Sequence, residues 1–499
     1  MRKETSGNKV IFNSVIYSCS GILLKCFSFF LLPLYTAYLS AEDYGITSVA
    51  TSFIGTMSFI VAFSLFAAIK RFYVDFKDDP EVLKRFYGTI SSFVFISAIA
   101  FGGIAFLCQD LLSKHVFSGV DFYPIILICV VSLAFECQHM IFDGIMRSQQ
   151  KALKASVSSI AYFLITVIFN VIFVVMLQMG AIGSLLATLI AYFLYTGYFV
   201  IEMLLQKTIC FCLDWHLLKG ALKYSLPIMP HNLSTHIANL FSKVLIGGVA
   251  SLASLGVYTV AAQFGTIADT VQTYIDQAYG PWLFEKLHAK ETGYKKDIRK
   301  ISNLLSSVVG LLHLGIALFA QDYILLLVDK AYVNAWSFVP WIVLVFSVKT
   351  MYYFYVEILF YYKKASRLLF IATLSGSLLN IVLAYLLIPA WSVYGSIAAD
   401  AIAMAIRVTI IVVVSKRYED IGLRVRDFLF NFLMVAIFIV GGLSLSIFKF
   451  KNTFSLLNFF FKIGVVFLYI AVVFLWYKKD IIPLVKSVTD RIAKRSAKD

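Results

Sequence analysis

The chain has 499 residues, of which 60% are hydrophobic and 14% are charged, and its mean hydropathy is +0.85. This composition excludes a soluble globular domain, because about a quarter of the residues in an ordinary domain are charged. The net charge of +15 would favour nucleic-acid binding in a soluble protein, but here the basic residues lie in short loops, so membrane topology explains them and no nucleic-acid partner is expected.

Apolar segments long enough to cross a hydrocarbon core of about 30 Å recur along the whole chain. We number them spans 1 to 14 and predict them at 11–34, 46–69, 87–107, 123–146, 155–178, 181–203, 222–249, 256–275, 302–320, 338–360, 368–388, 394–414, 428–448 and 456–476. Span 1 follows Arg2, Lys3 and Lys9 and has no cleavage site, so it is predicted to be retained. The tail from Tyr477 is predicted to be an amphipathic helix on the inner leaflet.

The distribution of positive charge predicts the orientation of these spans. One side holds both termini and 34 of the 43 lysines and arginines, whereas the other side holds four. Because basic loops stay inside, both termini are predicted to be cytoplasmic in a multi-pass protein of the cell inner or plasma membrane.

The chain carries an internal repeat. The sequence at 44–50 resembles that at 255–261, and the sequence at 183–187 resembles that at 395–399. The repeat predicts an N-lobe of spans 1–6 at 1–212 and a C-lobe of spans 7–12 at 213–418, with spans 13 and 14 and the tail at 419–499. Six spans per repeat predict two lobes related by an axis along the membrane normal, with substrate bound between them.

Four cations lie deep in predicted spans, where charges usually face a cavity or a partner. They are Lys25, Lys243, Lys349 and Arg407, while Lys462 is expected near a span end. Span 7 carries a polar stripe of Asn232, His236, Asn239 and Lys243, and span 1 repeats the spacing with Ser14, Ser18, Gly21 and Lys25. We expect the stripes to face each other, with the lysines staggered by about 10 Å. The alternative is that each cation pairs with an acid and only holds helices together.

Several acids accompany these cations. Asp400 lies seven residues before Arg407, and Glu357 lies two turns after Lys349, which has Tyr352 and Tyr353 beside it. Carboxylates in a membrane can bind a proton or sodium ion, so the ion-coupling candidates are Asp269, Glu136, Asp400 and Glu357. A solvated cavity wall or a structural ion pair is the alternative. Asp143, Asp276 and Arg147 are expected near the cytoplasmic boundary, with no special role.

No constellation for catalysis, cofactor binding or metal binding is found. The sequence has neither a P-loop nor an HExxH motif, its histidines are scattered, and its seven cysteines lack metal spacing. We therefore expect no enzyme activity, no catalytic residues, no metal and no cofactor.

The end of span 1 resembles the signature of the Wzx-type polysaccharide flippases of the multidrug/oligosaccharidyl-lipid/polysaccharide exporter superfamily. The motifs are Leu32-Pro33-Leu34-Tyr35-Thr36 and Leu39-Ser40-Ala41-Glu42-Asp43-Tyr44-Gly45, with Lys70-Arg71-Phe72-Tyr73, the stretch 224–232 and Gly256-Val257-Tyr258-Thr259. One departure is Ser242, which precedes Lys243 where the family often has an acid.

The resemblance implies two lobes forming a V around a central cavity, with alternating access. It implies a polyprenyl-diphosphate-linked oligosaccharide as substrate, moved from the inner to the outer leaflet for capsule, O-antigen or exopolysaccharide synthesis. Lys25 and Lys243 are then expected on the diphosphate and Arg71 at the inner entrance. Lys349, Arg407, Asn232, His236 and Asn239 are further candidates for substrate binding. Membrane lipid, a glycan polymerase and other assembly proteins are the expected partners.

Three other functions remain open. A multidrug or cation exporter of the same superfamily would favour buried acids over buried bases in its cavity. A glycan polymerase or ligase would lengthen its lipid-linked substrate. A structural or assembly protein would have no cavity wide enough for a sugar.

Overall fold

The computed structural model describes residues 6–362 and 366–496, and in this part of the chain all regular structure is helical. The first α-helices are α1 (Ser6–Phe30), α2 (Leu32–Tyr38), α3 (Ala41–Val61), α4 (Leu65–Phe76), α5 (Pro80–Leu107), α6 (Gln109–Leu111), α7 (Leu127–Ser148), α8 (Ala152–Asn170) and α9 (Gly180–Leu205). They continue as α10 (Trp215–Ser225), α11 (Met229–Val249), α12 (Leu252–Ala289), α13 (Tyr294–Leu327), α14 (Val339–Tyr361), α15 (Ser366–Tyr418), α16 (Val425–Gly442), α17 (Ser444–Phe448) and α18 (Leu456–Ser496). Short π-helical segments lie at Leu112–Val116, Phe122–Ile126 and Val171–Met176, and a 3₁₀ segment lies at Lys330–Ser337.

The all-α membrane fold predicted from the sequence is confirmed. Within the described ranges, eleven helical stretches are long and apolar enough to cross a membrane. One of them, Leu368–Tyr418, bends at Ser392 (φ 50°) and covers predicted spans 11 and 12. The helices α11 and α12 occupy predicted spans 7 and 8 but are not among the eleven, because both carry many polar side chains.

The chain forms two compact units. Unit 1 comprises residues 1–259 and 373–399, and unit 2 comprises residues 260–372 and 400–499. The division into lobes at residue 212, and their arrangement in a V, stay predictions. The amphipathic tail falls on the last part of α18, where nearly all side chains lie outside the described set.

A buried apolar core and hydrogen-bonded helix ends hold unit 1 together. The core includes Ile90 and Ile141, which are fully buried between α5 and α7. At the start of α3, Ser40 and Asp43 form a capping box, in which each side chain satisfies a free backbone N–H group. Asp43 also accepts from the backbone N–H of Ala181 at 3.1 Å, which ties α3 to the first turn of α9.

The internal repeat appears in unit 1 as a two-fold contact between α3 and α12. A Cβ atom added to Gly45 would lie 1.9 Å from the carbonyl oxygen of Leu252, and one added to Gly256 would lie 1.9 Å from that of Ala41. The hydroxyl of Thr259 donates to that of Ser48 at 2.8 Å, across 211 residues of chain. Each of these contacts either joins two positions that are equivalent in the repeat or has a counterpart in which the two copies of the repeat are exchanged. We call this contact the symmetric crossing; it is formed by Ala41, Gly45, Ser48, Leu252, Gly256 and Thr259.

Buried polar groups fasten α16 and α18 to α13 in unit 2. Lys462 is fully buried, and its Nζ lies 2.6 Å from Asp322 Oδ2 and 2.9 Å from Gln321 Oε1. Lys462 lies near the start of α18, as expected of a residue near a span end, but its side chain does not extend to water, because buried partners on α13 satisfy its charge in place. Nearer the start of α13, Arg299 Nε donates to Asp427 of α16 at 2.6 Å.

Candidate functional site

Lys243 is a half-buried cation on α11 that faces α3. Its Nζ donates to the hydroxyl of Ser52 at 2.8 Å and lies 3.5 Å from the carbonyl oxygen of Ser48. Within the described residues no carboxylate lies within ion-pair distance of this ammonium group. Because both partners are neutral, they leave the positive charge of Lys243 uncompensated on the helix that occupies predicted span 7.

The rest of the predicted stripe of span 7 lies along the same side of α11. His236 and Asn239 are exposed, and Asn232 is half-buried. The His236 ring packs on Phe59 of α3 with ring centroids 4.4 Å apart, and Thr56 donates to the backbone carbonyl of His236 at 3.2 Å. The stripe therefore follows the α3–α11 contact and remains accessible along much of its length.

Lys25 is exposed on α1 and makes no ion pair within the part of the chain that the structure describes. Its helix packs on α8, where Ser20 and Ser156 are hydrogen-bonded at 3.0 Å and Phe27 stacks on Phe163. Ser18 and Gly21 are half-buried, while the side chain of Ser14 lies outside the described set. Since α1 packs on α8 and α11 packs on α3, the opposition of Lys25 and Lys243 across a cavity stays a prediction.

Arg71 is exposed on α4 and forms an ion pair with Asp75, one turn later, at 2.7 Å. Its guanidinium keeps donors free for a ligand, because Arg carries five N–H groups and this contact uses one of them. A role at the inner entrance stays a prediction.

The two candidates Lys349 and Asp269 neutralise each other in unit 2. Lys349 Nζ lies 2.5 Å from Asp269 Oδ1, and Tyr353 donates its hydroxyl to the same oxygen at 3.0 Å. The sequence offers no signal for this pair, since its members are 80 residues apart on α12 and α14. Here the alternative interpretation, a cation paired with an acid, describes the geometry.

Glu357 lies away from that pair, with 8% of the residue exposed. It points at the backbone of α12, where a Cβ atom added to Gly280 would lie 2.7 Å from Glu357 Oε2. Asp276, one turn before Gly280, is half-buried, and its Oδ1 atom has no hydrogen-bond partner within the described ranges. The cation of Arg407 is half-buried and interacts electrostatically with Tyr352 and Asp400.

Glu136 belongs to an aromatic cluster in unit 1 that the sequence did not reveal. Its carboxylate lies 3.5 Å from His139 Nδ1, one turn later on α7. Three tyrosine rings from α8 and α9 surround the His139 ring, with centroid distances of 4.4–5.6 Å; they are Tyr162, Tyr192 and Tyr195. The i, i+3 spacing predicts the Glu–His contact, but no local pattern indicates the tyrosines.

Among the described residues, no group of three or more His, Cys, Asp or Glu side chains is placed to hold a metal ion. The hydroxyl, amide and ammonium groups around Lys243 are suited to binding an anion and polar ligand groups without a metal.

The fold of this chain resembles the folds of solved transporter structures. The lipid II flippase MurJ in an inward closed conformation matches with a TM-score of 0.66 and 16% identity, over 92% of this chain and 99% of that one. An inward-facing multidrug resistance MATE family transporter of the MOP superfamily gives a TM-score of 0.52 with 15% identity, over 83% and 95% of the two chains. A mutant of the Vibrio cholerae MATE transporter VcmN gives 0.51 with 14% identity, over 83% and 98%. At these identities the likeness establishes the transporter-like fold alone.

Sequence comparisons agree with this fold. A membrane protein of Haemophilus influenzae described as uncharacterised is 23% identical over 374 residues, which are 73% of this chain and 87% of that protein. The family model described as "Polysaccharide biosynthesis protein" matches residues 10–287, more than half of the chain and all of α11. The chain is thus a member of the polysaccharide biosynthesis protein family.

Proposed function

We propose that this protein is a flippase that moves polyprenyl-diphosphate-linked oligosaccharide repeat units from the inner to the outer leaflet by alternating access. The observation that carries the proposal is Lys243, whose charge on the helix of predicted span 7 meets hydroxyl and carbonyl partners and, within the described residues, no carboxylate. Membership of a polysaccharide biosynthesis family and the fold shared with a lipid II flippase support it.

The chemistry of such a substrate suits this arrangement. Sugars and a diphosphate cannot enter hydrocarbon without replacing their hydration and countercharge. Lys243 offers a countercharge, and the exposed His236 and Asn239, with Asn232, offer hydrogen bonds to sugar hydroxyls. The polyprenyl chain needs no such partners and can remain in lipid.

The other candidates have graded roles in this proposal. Lys25 is an accessible second cation for the diphosphate, and Arg71 attracts it at the inner entrance. Lys349 and Arg407 bind the substrate only where it displaces their present interactions. We assign the protein to the inner or plasma membrane, with cytoplasmic termini and a glycan polymerase among its partners. Capsule, O-antigen and exopolysaccharide precursors are the candidate cargoes.

Coupling to a proton or sodium gradient is part of the proposal. Of the candidates Asp269, Glu136, Asp400 and Glu357, we favour Glu357, which is buried and whose carboxylate makes no ion pair or hydrogen bond within the described chain. If the flipping rate of wild type depends on the gradient and Glu357→Gln abolishes that dependence, Glu357 is the coupling residue. If the flipping rates of wild type and Glu357→Gln respond equally to the gradient, Glu357 is excluded.

The test is flipping in proteoliposomes, with a polyprenyl-diphosphate oligosaccharide labelled on its sugar and an external sugar-modifying enzyme as the probe. Wild type is compared with Lys243→Ala, Lys243→Arg and the loop variant Lys330→Ala as the matched control. We expect loss of flipping in Lys243→Ala, partial retention in Lys243→Arg and full retention in the control. Absence of flipping for a range of glycans, in protein shown to be folded, would contradict the proposal.

A multidrug or cation exporter is the second candidate, favoured by the partly accessible carboxylates Asp269 and Asp276 in unit 2. It predicts transport of a cationic dye that Asp269→Asn abolishes. A glycan polymerase or ligase would instead lengthen the glycan on its lipid carrier, so unchanged product length in the flipping assay excludes that activity.

A further inference from the structure

We propose that Ser52 is a positioning residue that holds the ammonium group of Lys243 on α3 until an anionic substrate draws it away, and that this exchange releases the symmetric crossing. The inference rests on the proposed function, because it assigns a conformational consequence to the binding of a diphosphate at Lys243.

One turn of α3 makes both contacts. Ser48 and Ser52 are four residues apart, so they lie on the same face of the helix. The carbonyl of Ser48 and the hydroxyl of Ser52 receive Lys243 from α11, while the hydroxyl of Ser48 receives Thr259 from α12. A movement of Lys243 away from α3 therefore acts on the turn that also forms the crossing.

The partners of Lys243 are weak enough to be exchanged. Its hydrogen bonds go to a neutral hydroxyl and a neutral carbonyl, and the second distance of 3.5 Å is long for a hydrogen bond. The bond to Ser52 is assisted by the charge of the ammonium group alone, whereas a phosphate oxygen carries negative charge and adds a direct charge–charge attraction to its hydrogen bond. A diphosphate therefore competes effectively with Ser52. The carboxylate partners of Lys349 and Lys462 would resist such an exchange.

The symmetric crossing is held by contacts that separate as a unit. Backbone atoms touch at Gly45 and at Gly256, and the hydrogen bond between Thr259 and Ser48 joins two neutral hydroxyls. No ion pair within the described ranges joins these two segments of α3 and α12. Because small shifts break such close packing abruptly, the crossing has two discrete states, closed and open. The positive-inside rule places it at the outer ends of both helices, where its release would open an outward path.

The experiment measures closure of the crossing through a disulfide between Ser48→Cys and Thr259→Cys, whose native hydroxyls lie 2.8 Å apart. The full chain carries these changes in a background where the seven native cysteines are replaced, with a protease site in the loop at 206–214. After oxidation and cleavage, joined fragments report a closed crossing. The probe is geranylgeranyl diphosphate, and the uncharged control is geranylgeraniol.

We expect the diphosphate to slow cross-linking about tenfold, corresponding to loss of one charge-assisted hydrogen bond, while the alcohol leaves the rate unchanged. Lys243→Gln and Ser52→Ala should each cross-link slowly without any ligand and show no further response. Thr51→Ala is the matched control, because the Thr51 hydroxyl donates within α3 to the carbonyls of Thr47 and Ser48 and does not accept from Lys243, so the variant should behave like the parent.

Two outcomes would overturn the inference: a rate unchanged by diphosphate that calorimetry shows to be bound, or a Ser52→Ala variant that behaves like Thr51→Ala. Flipping by the cysteine-free parent is measured in the same proteoliposomes. If flipping persists but the diphosphate does not change the cross-linking rate, the inference about Ser52 is wrong and the proposed flippase function stands. Absence of both flipping and diphosphate binding removes the proposed function itself.

Discussion

Three of the lysines in the predicted spans, Lys243, Lys349 and Lys462, differ in their surroundings more than in their sequence context. Lys349 and Lys462 each meet a carboxylate, at 2.5 Å and 2.6 Å, whereas Lys243 meets hydroxyl and carbonyl oxygens. A paired lysine in lipid serves mainly to hold helices, because its charge is already neutralised. A partly accessible lysine without a carboxylate partner retains its attraction for an anion, which is why we propose that Lys243 binds the diphosphate.

The Lys462–Asp322 pair gives the first prediction at the residue scale. Lys462→Met should destabilise unit 2 by about 3–5 kcal/mol, because it leaves Asp322 as an unpaired buried carboxylate. The double variant Lys462→Met with Asp322→Leu should recover most of this loss. Thermal unfolding in detergent measures both variants, with the exposed Lys451→Met as the control. A double variant no more stable than the single one would show that the pair itself is not the cause.

Glu419, just after the last turn of α15, gives a prediction about pH. Burial alone would raise the pKa of the Glu419 carboxyl, but hydrogen bonds from Tyr362, Lys290 and Tyr294, with the charge of Lys290, outweigh it. The pKa therefore lies below its ordinary value of 4.5. A carboxyl with a lowered pKa stabilises the fold above its unfolded pKa, and the contribution disappears as the pH falls through the folded value.

The variant Glu419→Gln tests the prediction that this stabilising contribution is lost as the pH falls. The variant should be less stable than wild type near pH 7, by about 1 kcal/mol or less because the site is partly open to water. The difference in melting temperature should shrink below pH 4.5 and vanish once the carboxyl is protonated. A difference that stays constant from pH 7 to the acid limit would show that the ionised carboxylate is not what stabilises this contact.

At the scale of elements, the crossing of α3 and α12 depends on glycine at two positions. Gly45→Ala and Gly256→Ala should each cost about 1–3 kcal/mol or more, because the added methyl group meets a backbone carbonyl that cannot move aside. Gly55→Ala on the same helix is the matched control, since nothing lies within 4 Å of a Cβ atom there. Detergent melting curves and flipping rates report the effect, and equal behaviour of Gly45→Ala and Gly55→Ala would contradict it.

The sequence predicted the elements better than their contacts. The repeat was visible because glycine and small residues recur at one offset, and the structure shows those same residues meeting at Gly45 and Gly256. The stripe of α11 was visible from helical spacing alone. In contrast, the partner of Lys243 is Ser52, 191 residues away, and no local pattern distinguishes that serine from its neighbours.

At the scale of the whole molecule, charge distribution predicts orientation while packing decides which charges are satisfied. The excess of basic residues on one side predicted the topology, but it gave no indication that Lys462 is buried. Local sequence cannot reveal such pairs, because burial of a charge depends on acids supplied by distant helices. The same reason explains why Asp269 and Lys349 were assigned separate roles although they form one ion pair.

Orientation itself is the last prediction, and single cysteines test it. In a chain whose native cysteines are replaced, Lys330→Cys should react with a membrane-impermeant maleimide on intact cells, because its loop is predicted to lie outside. Lys77→Cys should react only after permeabilisation, since it lies in a basic loop predicted to be cytoplasmic. Both native side chains are exposed, so failure to label reflects membrane side and not burial. The two positions are separated by an odd number of predicted spans, so one missed or additional span would place them on the same side, and labelling of both on intact cells would refute the topology.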